Sequence, residues 1–574
     1  MDRSRLFLAF FLMAVVAIAP SLLWPPKRTA GRPGGQTPDT VAAPAMRDTV
    51  TLAPQLGPSG RPGVRAALAE DTIWIHTPLY RLGFSTLGAR LVAVQLHDYE
   101  SLAPRDSGQP VQLVPPDRPF LRHALTAAGG GRDTIPLDEW TFRPSADSLR
   151  VAGGGTGASV SFEAEAPGGG SRVTIAYHFV PEEYRFAVRG DIEGLGASGA
   201  VLLVRLADGL RTVESDSTDD YRQFAIVTKA SKTERTNFSS LDPGERTVLD
   251  GPFEWVGVKS KYFLTAALAI AEGAPQFGGA IAVGGPRSGK AASRTAVTLT
   301  LPVPPGGDFQ YQVFAGPLEY RQLARVGHSL DDANPYGWIF RPIIQPVSVF
   351  VVNILLWMHG QLNLAYGWVL ILFGVIVRLL LWPLNQKAME AGIRMQAVQP
   401  LIKEVQDRYR NDPERLQREM LRLYKEHKVN PFGGCLPMLL PMPVLLALFF
   451  VFANTIEFRG VPFLWLPDLS RADPYYIIPL LMGLSMFTLS KVGQIGVPPN
   501  PQAKMMLYFM PIFMTVLFLN FASGLNLYYA AQNIFSIPQQ YLIAQRRLRE
   551  APVAKSTTPA PRPPSPRRGE GVRG

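Results

Sequence analysis

The sequence predicts a polytopic α-helical membrane protein of six transmembrane helices, five of them forming one core, with a large β-sandwich domain on the outer side. Three observations predict it. An apolar run occupies residues 6–24, residues 64–335 alternate apolar and polar positions between Gly and Pro, and long apolar runs return from residue 336 onward. Such a distribution implies two solvents along one chain, first water and then lipid.

Composition narrows the function classes. The chain has 574 residues, 47% hydrophobic and 18% charged, with a formal net charge of +11. Much of the excess Lys and Arg flanks apolar runs, where it reports cytoplasmic topology rather than nucleic-acid binding. The single cysteine, Cys435, excludes an intramolecular disulfide framework and a Cys-based zinc site. None of the seven histidines forms a His-x-x-x-His pair, and no His within the spans stands ready to activate Ser523. No enzyme, metal, cofactor or small-molecule substrate is expected.

The elements follow in order. The run 6–24 is long enough to cross about 30 Å of hydrocarbon and ends in Ser21-Leu-Leu-Trp24-Pro-Pro without an A-x-A-like cleavage site, which favours a retained signal anchor over a cleaved signal. Residues 25–63 are rich in Pro, Gly, Thr and Ala and read as a linker. Over 64–335 the apolar period is two, as in Val173, Ile175, Tyr177, Phe179 and then Tyr184, Phe186, Val188, which predicts the β-sandwich. Within it, Gly284-Gly-Pro-Arg-Ser-Gly289-Lys290-Ala291 nearly spells a phosphate-binding loop. Ala291 stands where a magnesium-ligating hydroxyl is required and Pro286 removes a backbone donor, so a hairpin turn is expected instead.

Residues 336–360 are apolar enough to pass for a span. If they crossed, the loop 385–432, with ten Lys and Arg, would lie outside, against the positive-inside rule. With Arg341, Pro342 and Pro346 near its start, this segment is expected to lie as an amphipathic helix along the outer interface. Spans are then expected near 365–384, 436–453, 475–490, 505–521 and 524–543, within a core of 361–545, with both termini cytoplasmic and the β domain periplasmic. Several are short, which predicts local membrane thinning. The loop 385–432 is expected to form a cytoplasmic two-helix hairpin: Met389 and Ile393 begin one apolar stripe, Asp412-Pro413 is an N-cap followed by proline at the first helical position, and Leu416 continues a second stripe.

The candidate functional residues lie in the spans. Arg378 is the only charged residue inside the predicted spans, six residues from a cytoplasmic end, where it either snorkels or faces a wet cavity between helices. Asn526, Tyr529, Asn533, Ser536 and Gln540 recur at steps of three and four on the last span, one helical face that either lines the same cavity or holds the bundle together by hydrogen bonds. Twelve of the fifteen methionines follow Tyr336, a pattern of adaptable apolar surface or of ordinary gap filling. The basic residues of 546–574 lie among prolines, a disordered arm serving either as a topology signal or as a contact to ribosomal RNA or anionic lipid.

Lys428-Val-Asn-Pro431-Phe-Gly-Gly-Cys435-Leu-Pro437, Asp473-Pro-Tyr-Tyr476, Ser523-Gly-Leu-Asn-Leu-Tyr-Tyr529 and the span bearing Arg378 resemble, in order, the insertase family that joins bacterial YidC proteins with the Oxa and Albino proteins of mitochondria and chloroplasts. The resemblance covers residues 337–545 closely. Over the outer domain it rests on Glu254-Trp-Val-Gly-Val-Lys-Ser-Lys-Tyr-Phe263 and on a Gram-negative layout. It implies a membrane protein insertase and chaperone, acting on nascent and newly made membrane proteins in the bilayer, alone or beside the Sec translocon, with the ribosome as a possible partner of the basic tail. It further implies a hydrophilic groove, open to cytoplasm and lipid, with Arg378 opposite Tyr528 and Tyr529, and a required cytoplasmic hairpin. The chain departs from the family at Gly374, where well-known members carry threonine one turn before the arginine. A passive channel and an envelope scaffold are the competing readings; the absence of intramembrane carboxylates argues against an ion-driven transporter.

Overall fold

The computed structural model describes residues 70–127, 134–195, 199–288, 291–334, 341–383, 386, 398, 401–410, 412–427, 442–496 and 501–550. The expected signal anchor, the linker 25–63, Met389, Ile393 and the tail beyond residue 550 lie outside them.

Alternation of apolar side chains builds the β domain. In Arg172–Phe179 the residues Val173, Ile175, Tyr177 and Phe179 are all buried, while their neighbours are exposed or half-buried, as a strand with one face on a core requires. This strand pairs antiparallel with Ala158–Glu165 and Arg185–Glu193 in a nine-stranded sheet. A six-stranded sheet, with Ala200–Ala207 and Thr295–Val303 at its centre, supplies Leu202, Val204, Leu299 and Leu301 to the same core. A direct hydrogen bond joins the two layers, His123 Nε2 to Tyr311 Oη at 2.8 Å. A five-stranded sheet around Thr72–His76 completes the domain. Arg287–Ser288 pairs with Ala291–Ala292, a hairpin rather than the strand-to-helix turn of a phosphate loop.

Beyond the β domain the described residues form, in chain order, α1 (Arg341–Leu362), α2 (Tyr366–Leu380), α3 (Pro413–Glu426), α4 (Met442–Asn454), α5 (Ile477–Gly493), α6 (Pro501–Phe518) and α7 (Ser523–Glu550). Among the described residues no single helix is long and apolar enough to cross a membrane. One pair, Ile344–Leu362 with Tyr366–Leu380, has the length and composition together but is bent by 118°. The elbow falls at Asn363, whose positive φ of 50° the short amide side chain tolerates. Helices α2 and α4 to α7 overlap the residues of five of the expected spans, and α4, α5 and α6 are short apolar helices. Asp412 caps α3 by accepting from Arg415 N at 3.1 Å, with Pro413 at the first position, and Val398 and Ile402 pack on Met420, Leu423 and Tyr424. Leu416 is half-buried on the same helix.

The motif 254–263 forms the seam between β domain and helices. Glu254 Oε1 lies 2.7 Å from His328 Nδ1, and buried Trp255 donates its Nε1–H to His328 O at 3.0 Å, pinning the segment that leads out of the sheet. Lys259, whose ammonium burial holds well below the usual lysine range, donates to Asn334 Oδ1 at 3.2 Å. Asn334 in turn donates to Asn454 O at the end of α4. Trp255→Ala is expected to destabilise the β domain by about 3–5 kcal/mol through the cavity and the lost hydrogen bond, measured as a lower urea midpoint of the β-sheet circular-dichroism signal.

Candidate functional site

Arg378 sits in the last turn of α2, half-buried, with Nε shielded from solvent and without a hydrogen-bond partner among the described residues. No carboxylate pairs with it among those residues. The group facing it is Tyr528, close enough for the two to interact electrostatically. Tyr528 is 1% exposed, accepts a hydrogen bond from Gln532 Nε2 at 3.1 Å, and packs against Phe373 with ring centroids 6.0 Å apart.

Gly374 faces Tyr528 across α2 and α7. A Cβ there would lie 3.3 Å from Tyr528 Cδ2, a tight contact, and 3.6 Å from its carbonyl oxygen, an ordinary one. The edge of the Tyr528 ring thus lies against the bare backbone of Gly374.

The polar residues of α7 divide into two rows. Tyr528, Gln532 and Gln539, at steps of four and seven, lie on the face turned to α2. Gln532 and Gln539 are buried, and Gln539 has both amide atoms without partners among the described residues. The predicted stripe lies about 100° round the helix at 3.6 residues per turn, and its side chains have other partners. Asn526 donates to Phe518 O at the end of α6, Tyr529 packs edge-on against Phe518, and Asn533 donates to Ser485 Oγ of α5 at 3.3 Å. Ser536 turns back to Gln532 O, and Gln540 packs against Gly493. The stripe holds α7 to α5 and α6, and of the predicted groove residues the structure brings only Tyr528 to Arg378. Gln532 and Gln539 lie off the face that Asn526 begins, and the sequence signal that marks them is their spacing, in steps of four and then seven from Tyr528.

A loop on the far side from Arg378 fixes the start of α7. Ser523 N donates to Arg471 O at 2.6 Å, Gly524 N to Leu469 O at 2.9 Å, and Ser523 Oγ to Asp468 O. Asp473 accepts from Ile478 N at 2.7 Å and Tyr475 N at 3.0 Å, starting α5. The loop is anchored to the β domain by Arg459, which is almost fully buried. It pairs with Glu214 at 2.7 Å and donates to Glu100 O and Val213 O. Beside it, burial pushes the Glu457 carboxyl up to about 7, with Glu319 raising it further and Arg321 opposing. Among the described residues no group of His, Cys, Asp and Glu is arranged to hold a metal ion.

Known proteins match both halves of this arrangement. Residues 72–349 match the family model described as YidC periplasmic domain, and residues 357–550 that described as 60Kd inner membrane protein. A membrane protein insertase YidC of Syntrophus aciditrophicus (strain SB) is 30% identical over 568 residues, covering 95% of this chain and 99% of that protein. One from Geobacter sulfurreducens is 33% identical over 474 residues, covering 81% and 85%. A solved structure described as an active YidC insertase with the first transmembrane domain resolved aligns with 83% of this chain and 93% of its own at 18% identity and a TM-score of 0.33, a likeness too weak to bear on the fold.

The Glu457 site has a pH signature. A carboxyl raised in the folded state binds its proton more tightly there than in the unfolded chain, where its pKa is about 4.3. Stability is therefore fullest below that value and declines as pH rises to about 7. Asp220, also pushed up to about 7 by burial, adds a slope of the same sign. Thermal midpoints of the full chain in detergent are expected to fall from pH 5 to pH 7.5, and Glu457→Gln to flatten that slope. An unchanged slope would count against this account.

Proposed function

On the premise that this chain belongs to the YidC family of membrane protein insertases, we propose that Arg378 and the Tyr528 row form the polar wall of a groove through which a client's hydrophilic flank crosses. The protein inserts membrane proteins into the inner membrane and carries a β domain in the periplasm. It does so without covalent catalysis. The observation that carries the groove reading is the arginine itself: a half-buried guanidinium with a shielded, unpartnered Nε, facing Tyr528 and backed by Gln532 and Gln539. Holding such a charge against lipid alone is expensive, whereas a cavity wetted from the cytoplasm lowers that cost.

Six membrane crossings, counting 6–24 and the segments around α2 and α4 to α7, fit this reading, with both termini cytoplasmic. The 118° elbow after α1 supports an interfacial course for that helix, because a helix turned so far from α2 does not continue its line through the bilayer. Exposed Ile477, Leu480 and Leu484 of α5 and Met505, Phe509, Ile512 and Val516 of α6 offer apolar faces to lipid or to a client's apolar segment. Partitioning of that segment into lipid drives insertion, and short spans that thin the bilayer shorten the path of the polar flank. The hairpin around α3, with Leu416 on its stripe, belongs in this reading at the cytoplasmic entrance. Cooperation with the Sec translocon and ribosome contact through the basic tail belong to the same reading.

Two outcomes test it. Arg378→Ala is expected to slow insertion of a client with an acidic flank into proteoliposomes by about tenfold, equivalent to about 1.4 kcal/mol, while a neutral-flank client changes little; equal insertion of the acidic-flank client by both proteins would sink the groove assignment. Removing the residues after Glu550 is expected to weaken ribosome co-sedimentation at low salt, with the difference vanishing at high salt.

A further inference from the structure

The outward face of the five-stranded sheet carries a pattern that the groove does not use. In Thr72–His76, Ile73 and Ile75 point into the core and Trp74 and His76 away from it. Strand register then sets Arg150, His76, Arg81 and Gln95 side by side across four strands, a row about 14 Å long at a strand spacing of about 4.8 Å. The row contains no carboxylate. Arg81 and Arg150 flank His76 on either side, and neither has an acidic partner among the described residues. Arg90, Arg172 and Arg185 of the same domain are all paired.

The row is also held in place. The Arg81 guanidinium carbon lies 3.8 Å from the centroid of the Trp74 ring. Trp74 in turn rests over Gly83, where a Cβ would come within 3.1 Å of the indole. Trp74 thus orients Arg81, whose Nε is buried without a partner among the described residues. An oriented guanidinium with open donors fits a carboxylate, and the Gln95 amide beside it fits a peptide group, which donates and accepts; a bare phosphate only accepts. Location adds to this. Gln95 is five residues from Glu100, about 17 Å along the strand, and Glu100 O accepts from Arg459 in the loop that starts α7.

We propose that this face receives acidic polypeptide: the carboxylate-bearing flank of a client after it has crossed. The proposal rests on the reading that such flanks pass the groove, and the polar row gives them a first binding surface on the outer side.

The test uses the full chain in neutral detergent and two fluorescein-labelled ten-residue peptides, one alternating Glu with Ser and the other Gln with Ser. Fluorescence anisotropy is expected to show binding of the acidic peptide only. The double variant Arg81→Gln and Arg150→Gln is expected to weaken it about tenfold or more, with an unchanged thermal midpoint; Arg81→Lys with Arg150→Lys is expected to restore only part of the affinity, because an ammonium keeps the charge without the guanidinium fork. Insertion of acidic-flank clients by Arg378→Ala at the parent's rate would remove the groove reading, while the peptide result, read only at Arg81 and Arg150, stands by itself. Equal binding of the acidic peptide by the parent and the Gln variant overturns the proposal. So does loss of binding to phosphatidylglycerol vesicles in that variant with no acidic-peptide binding by the parent, which would make the face a lipid contact.

Discussion

An ion pair shielded from water, Arg459 with Glu214, is the constraint on which the rest of the molecule depends. Breaking a buried pair strands a charge at a cost of several kcal/mol, so the loop that carries Arg459 stays seated on the β domain. The same loop supplies the carbonyls of Asp468, Leu469 and Arg471 that hold Ser523 and Gly524. Through them the first turn of α7 is fixed, and with it Tyr528. A folded domain in one solvent thereby sets the position of a side chain in another.

The family motifs thereby gain physical content. Asp473 is a start signal for α5 because its two oxygens accept from Tyr475, Ile478 and Trp465. Ser523-Gly524 is a docking point for the outer loop rather than a reactive serine. The motif 254–263 binds the end of the sheet through His328 and reaches α4 through Asn334. The motifs at 254–263 and at Ser523-Gly524 thus mark seams between segments distant in sequence, whereas Asp473 acts locally.

Much of the fold was legible because one-sided burial leaves a period in the residues. Val173 to Phe179 declared a strand, and Asp412-Pro413 declared a helix start. The surroundings of Arg378 were only partly legible. Arg378 stood out because a lone charge among apolar residues is costly, yet periodicity says that Asn526, Asn533 and Ser536 share a face without saying which neighbour that face meets. Here it meets α5 and α6, while the row facing α2 is shorter and includes Gln532 and Gln539. Arg459 and Glu457 carried no signal at all, since an exposed-looking outer loop acquires its burial only when the β domain packs on it.

Gly374 has a consequence beyond its own position. With no side chain there, the Tyr528 ring of α7 lies directly against the backbone of α2. The contact one turn before Arg378 is therefore ring on backbone, a flat and stiff seat with no second side chain to shift.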